Sequence, residues 1–150
     1  MPEKETIRRA EEDKREGKAP STQAGEFVKE EIDHIREGKH GARSTKQAIA
    51  IGLSKARRAG VDLPPPKEGS VPDRTRVQAV RDRAKGKASP RQQPSAKRSK
   101  GVTEALKREG KSAASHAALS RQAQASARKR GASARKAAAR KAVRTKQASD

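Results

Sequence analysis

Closely spaced arginines and lysines are the side chains here whose type and spacing can do chemistry. They stand at Arg128, Lys129 and Arg130, at Arg135 and Lys136, at Arg140 and Lys141, then at Arg144 and Lys146, with Lys97, Arg98 and Lys100 upstream. The chemistry is charge neutralisation. A cation laid on a nucleic-acid phosphate releases condensed counterion, so affinity follows the number of cations and needs no prior shape. No aromatic residue follows Phe27, which leaves no ring to stack on unpaired bases and favours double-stranded DNA, with RNA as the other polyanion. The same stretch lacks the bulky apolar side chains that enter an anionic membrane.

Nothing else in the chain is spaced for reaction chemistry. His34, His40 and His116 are scattered. His34 and His40 flank a Gly/Lys loop near Asp33 and Glu37, but without the i, i+4 spacing or tight cluster of metal ligands, so they read as surface histidines. Glu26, Glu30 and Asp33 read as the solvated face of a helix rather than an acid–base pair. There is no phosphate-binding glycine loop and no nucleophile elbow. No enzyme, cofactor or metal is expected. The absence of cysteine excludes disulfides and thiolate metal sites. The first twenty residues lack the apolar core of a secretory signal, and no apolar run approaches the roughly twenty residues of a membrane helix. The expected location is the cytoplasm, on the nucleoid.

The elements that carry these cations follow from composition. Of 150 residues only 30% are apolar, many of them alanine, while 37% are charged and the net charge is +20. Such a chain cannot bury enough surface to order all of itself. Residues 1–20 are balanced in charge, residues 21–63 carry +2, residues 64–100 carry +8 and residues 101–150 carry +10. The expected class is therefore mostly α: a small antiparallel helical hairpin with long disordered or conditionally helical basic segments.

Residues 1–20 form a charged leader, partly helical through pairs such as Glu5–Arg9 and fraying for want of an apolar edge. Residues 21–63 form the hairpin. Ser21 or Thr22 caps its first helix and Gly38 ends it; Ser44 caps the second and Gly60 ends it. At 100° per residue Val28, Ile32 and Ile35 share a side with Phe27 at its margin, and they face Ile49 and Leu53. Gly52 and Ala56 let the two backbones approach. A core this thin calls for a second copy, or for help from residues 73–84. Residues 64–100 are a Pro/Lys/Arg-rich linker with one short helix whose stripe is Val77, Val80 and Ala84. Residues 101–150 are an Ala/Lys/Arg-rich tail. A helix charged on all sides buries nothing and repels itself, so the tail is expected to be unfolded alone and helical once phosphates neutralise it.

Two resemblances accompany this reading. Ser44, Lys46, the run Gln47–Ala48–Ile49–Ala50–Ile51–Gly52–Leu53–Ser54, and Ala56, preceded by an acidic helix and a Gly/Lys/His loop, resemble a small bacterial domain family of unknown function over residues 22–62. Residues 85–147 are similar in composition to the tails of linker histones and bacterial histone-like proteins. "SPRQ" at Ser89 looks like the Ser-Pro-basic turns of histone tails that lie along a minor groove. That likeness implies DNA binding and compaction without sequence preference. Helix one is too acidic to meet phosphates, which counts against the hairpin as a sequence reader. The expectation is thus a histone-like DNA binder whose hairpin serves as a homodimer or partner surface. The alternative is an interaction protein whose hairpin binds a specific protein while the tail docks on RNA or an acidic surface.

Overall fold

A computed structural model describes residues 1–88 and 93–149. The described residues are all-helical, without strands: α1 (Lys4–Arg15), α2 (Pro20–Glu37), α3 (Thr45–Arg58), α4 (Asp73–Lys87), α5 (Ala96–Lys107), a 3-10 turn (Ser112–Ala114) and α6 (His116–Ser149). They form two compact units, Met1–Ala114 and Ser115–Asp150. The Ser-Pro-basic stretch at Ser89 lies outside the described residues.

In the first unit α2 and α3 pack on each other, α1 packs on α2, and α4 packs on α3. Helix α2 starts two or three residues earlier than its hydroxyls suggest. Pro20 occupies the first turn, where its fixed φ suits a helix and its missing N–H costs nothing, and Ala19 rather than Ser21 or Thr22 is the N-cap. Helix α3 opens as expected: Ser44 Oγ accepts the Gln47 N–H at 3.1 Å, while Gln47 reaches back to the Arg43 N–H at 2.7 Å. It closes on two bonds, Val61 N–H to the Ala56 carbonyl and Gly60 N–H to the Arg57 carbonyl, both 3.1 Å. That turn folds Val61 into a core of Ala10, Ala24, Phe27 and Ala56, against which Ile7, Leu53, Ala59 and Leu63 pack. Phe27, Ile32 and Ile35 are buried, and Val28, Ile49 and Leu53 half-buried. The two helices approach closely at Gly52, where a Cβ would stand 2.7 Å from Val28 Cα.

Three expectations change. The leader is not a loose, solvated segment. Thr6 and Ala10 are buried, Ile7 reaches the core, and Arg9 Nε donates to Glu26 at 2.7 Å. Small residues on one edge of α1 suffice because α2 supplies the bulk. The linker contains α4, but its inward stripe is Ala79, Asp82 and Gly86, leaving Val77 and Val80 each 46% exposed. Close approach decides this: a Cβ at Gly86 would stand 1.8 Å from the Arg57 carbonyl oxygen, and Asp82 accepts the Ser54 hydroxyl at 2.6 Å. Valines on that face would hold the helices apart.

The third change concerns the basic segments, expected to be disordered or conditionally helical, whose described residues are mostly helix. Alanine, the best helix former, is the physical reason. Residues 101–114 join the folded unit and lie across the α2–α3 loop. There the Leu106 carbonyl accepts Gly41 N–H at 2.9 Å, the Gly110 carbonyl accepts Ala42 N–H at 3.1 Å, and Thr45 Oγ1 donates to Ala113 at 2.7 Å. In the second unit α6 buries no residue and is broken at Gly131, whose φ of 77° and ψ of 167° leave the helix.

Candidate nucleic-acid interface and a buried imidazole–carboxylate cluster

Lys97, Arg98 and Lys100 stand on the first turns of α5 and are exposed. Arg128, Lys129 and Arg130 precede the break in α6, and Arg135, Lys136, Arg140, Lys141, Arg144 and Lys146 follow it; all nine are exposed. Among the described residues no carboxylate oxygen lies within 4.0 Å of any of these twelve cations, whereas thirteen such lysine or arginine ion pairs bind residues of the first unit to one another.

The break changes how the cations are displayed. Counted from Arg135 at 100° per residue, Lys146, Lys136, Arg140 and Arg144 follow at about 20°, 100°, 140° and 180°, and only Lys141 falls outside, at about 240°. Five of the six cations beyond Gly131 therefore occupy one half of the helix surface. The last stretch of α6 is a positive half-cylinder rather than a rod charged on all sides.

A second cluster sits where the sequence offered only scattered histidines. Glu31 is fully buried. Its Oε1 takes the Lys55 ammonium. Its Oε2 lies 3.2 Å from His40 Nε2, yet makes no well-directed hydrogen bond among the described residues. His40 Nδ1 is 2.9 Å from the Gly41 carbonyl oxygen, which only accepts, so Nδ1 carries the proton. One residue earlier, Glu30 is 5% exposed: its Oε1 accepts the Glu3 N–H at 3.1 Å and lies 3.8 Å from His34 Nε2, while Oε2 has no partner. His34 Nε2 is 2.9 Å from Glu3 Oε1. The hydrogen bond to His34, then that to Lys39, holds the Glu3 carboxyl below its ordinary pKa. The two imidazoles meet edge to face, 6.1 Å between centroids.

The reading of the α2 carboxylates as a solvated face is thus corrected for Glu30, and Glu31 is the more deeply buried of the two. The signal lay in spacing. Glu31 is four residues after Phe27 and four before Ile35, which places it on the core side of α2. His34 follows Glu30 by four. His40 could not be placed, because the loop that folds it back has no periodicity to read.

Beside this cluster a cleft of about 590 Å³ runs between α3 and α5, with Glu31, His40, Lys55, Arg58 and Arg98 among its lining residues. No helix among the described residues is long and apolar enough to cross a membrane. No curated protein and no solved structure matches this chain. Residues 5–67, from α1 through the triple proline, match a family of unknown function, DUF6496, so the helical unit around the cluster is similar to an uncharacterised domain family and α1 is part of the matched stretch.

Proposed function

We propose that the protein binds double-stranded DNA without sequence preference through α6, in the manner of a histone-like, nucleoid-associated protein. The observation that carries this reading is that the cations of α6 have no carboxylate partner among the described residues, while in the first unit cations such as Arg9, Lys18, Lys55 and Arg83 are held by carboxylates. Unpaired, exposed cations lose little on meeting phosphate and gain the entropy of released counterions. Alanine between them favours the helix that displays them. The first unit gives the tail a folded base. Cover from α1 and α4 on the hairpin supports a single copy as the folded base.

A second reading, in which the folded unit engages a protein partner, is favoured by the outward valines of α4, Val77 and Val80. Gel shifts on random duplex DNA decide between them. The full chain binds, a chain ending at Ala114 loses at least about 100-fold in affinity at low salt, and unlabelled duplex DNA of unrelated sequence competes as well as the probe. Retained binding by the shortened chain moves the interface to the first unit and overturns the reading. Competition by duplex RNA equal to that of duplex DNA makes the ligand a general polyanion.

A further inference from the structure

Two acceptors face each other in the cluster at the end of α2. With its proton on Nδ1, a neutral His40 presents the Nε2 lone pair to Glu31 Oε2 across 3.2 Å. That contact is repulsive unless something positive sits between them, and Lys55 is already committed to the other carboxylate oxygen. The separation is close to the spacing of about 3.3 Å between two ligands of a tetrahedral ion with bonds of about 2.0–2.1 Å. A ring nitrogen of His34 completes the group: one ligand atom from each of Glu31, His34 and His40 lies within 4.8 Å of the others. That bound leaves His34 at most about 1.5 Å to close to reach the ligand spacing of a tetrahedral ion.

We infer that Glu31, His34 and His40 bind one divalent transition-metal ion of the zinc type. Two imidazoles and a carboxylate suit zinc, cobalt or nickel, whereas calcium and magnesium call for an all-oxygen set. The surroundings are those a metal site requires. The Gly41 carbonyl fixes the His40 tautomer with Nε2 available, and Lys55 holds the second oxygen of Glu31. Glu30, whose buried Oε2 has no partner among the described residues, belongs with Glu3 and His34 to a second group that shares His34. Such an ion ties the last turns of α2 to the loop that follows and, through Lys55, to α3.

The test uses the full chain, stripped with a chelator and titrated with zinc against a chromophoric competitor. One equivalent binds, and His34→Ala and His40→Ala each weaken it at least about tenfold, while His116→Ala, in the other unit, leaves it unchanged. Cobalt in place of zinc gives the intense visible bands of a four-coordinate ion with nitrogen ligands. Circular dichroism establishes that each variant folds. Should one fail to fold, the wild-type cobalt spectrum still decides. A spectrum like that of the aquo ion, a stoichiometry near zero, or wild-type affinity in a folded His40→Ala chain overturns the inference and leaves a proton between the two acceptors.

Discussion

Replacing Arg135, Lys136, Arg140, Arg144 and Lys146 together by glutamine removes the whole positive half of the last stretch of α6. Glutamine is a good helix former, so the backbone preference survives the loss of charge. On duplex DNA each phosphate contact contributes about 0.9 to the slope of log affinity against log salt. Five contacts contribute about 4.5, which corresponds to a fall of about 500-fold between 50 and 200 mM salt. The five-fold variant should therefore bind with a slope shallower by about 4.5 and lose most of its affinity at low salt. The arc makes a finer statement. Arg140→Gln should lower the slope by about 0.9, while Lys141→Gln, about 60° beyond the edge of the half-cylinder, should lower it by much less. Filter binding at five or six salt concentrations measures all three slopes. An unchanged slope in the five-fold variant refutes the electrostatic reading altogether. Equal effects of Arg140→Gln and Lys141→Gln refute the helical display and mean that the tail binds as an extended chain, in which every cation counts alike.

The folded unit gives three further predictions. Gly86→Val drives a side chain into the Arg57 carbonyl and should cost about 1–3 kcal/mol by overpacking; Val77→Thr, on the exposed side of the same helix, should stay within about 0.5 kcal/mol, both read by urea unfolding. Glu31→Ala strands the Lys55 ammonium, which is 20% exposed, and should cost about 3–5 kcal/mol, with Glu31→Ala/Lys55→Met recovering part of the loss. Acid should loosen α4 and α1 before it touches α6. Arg83 first, then Lys87, holds the Asp62 carboxyl below its ordinary pKa, as His34 does for Glu3. A depressed carboxylate pKa gives stability that is present above the unfolded value and lost as pH falls through the folded one. Amide exchange at low pH should accordingly show α1 and α4 opening while the helicity of α6 holds.

Helix ends and apolar stripes were legible because they are local. Ser44, Gly38 and Gly60 mark boundaries through their own capping and backbone preferences, and Phe27, Ile32 and Ile35 recur at the spacing of one helical face. What escaped depends on partners distant in sequence. Helix α1 looks too polar to fold until α2 is laid beside it. The choice in α4 between a valine stripe and an Ala79–Asp82–Gly86 stripe is made by Arg57 and Ser54, whose carbonyl and hydroxyl demand small or polar neighbours. A hydrophobicity pattern votes for the valines, and close approach overrules it. The carboxylate–imidazole cluster escaped for the same reason, since Glu31 and His40 meet only once the loop after α2 has turned back.

The same composition yields two materials, and the arrangement of acids decides which. Thirty-eight cations meet eighteen carboxylates in this chain, and only one of those carboxylates, Asp150, lies beyond residue 114. In the first unit acids are close enough to pair, and pairs such as Arg9–Glu26 at 2.7 Å and Arg83–Asp62 at 2.6 Å spend the charge locally. A paired cation is a poor donor to phosphate, because its carboxylate must first be displaced. Beyond Ala114 no carboxylate pairs with a cation among the described residues, and in α6 ten arginines and lysines stand within twenty-six residues. Steering toward a polyanion follows summed, unscreened charge. The acids kept in the first unit thus help to hold a small core together, and their absence from α6 leaves its cations open to a polyanion.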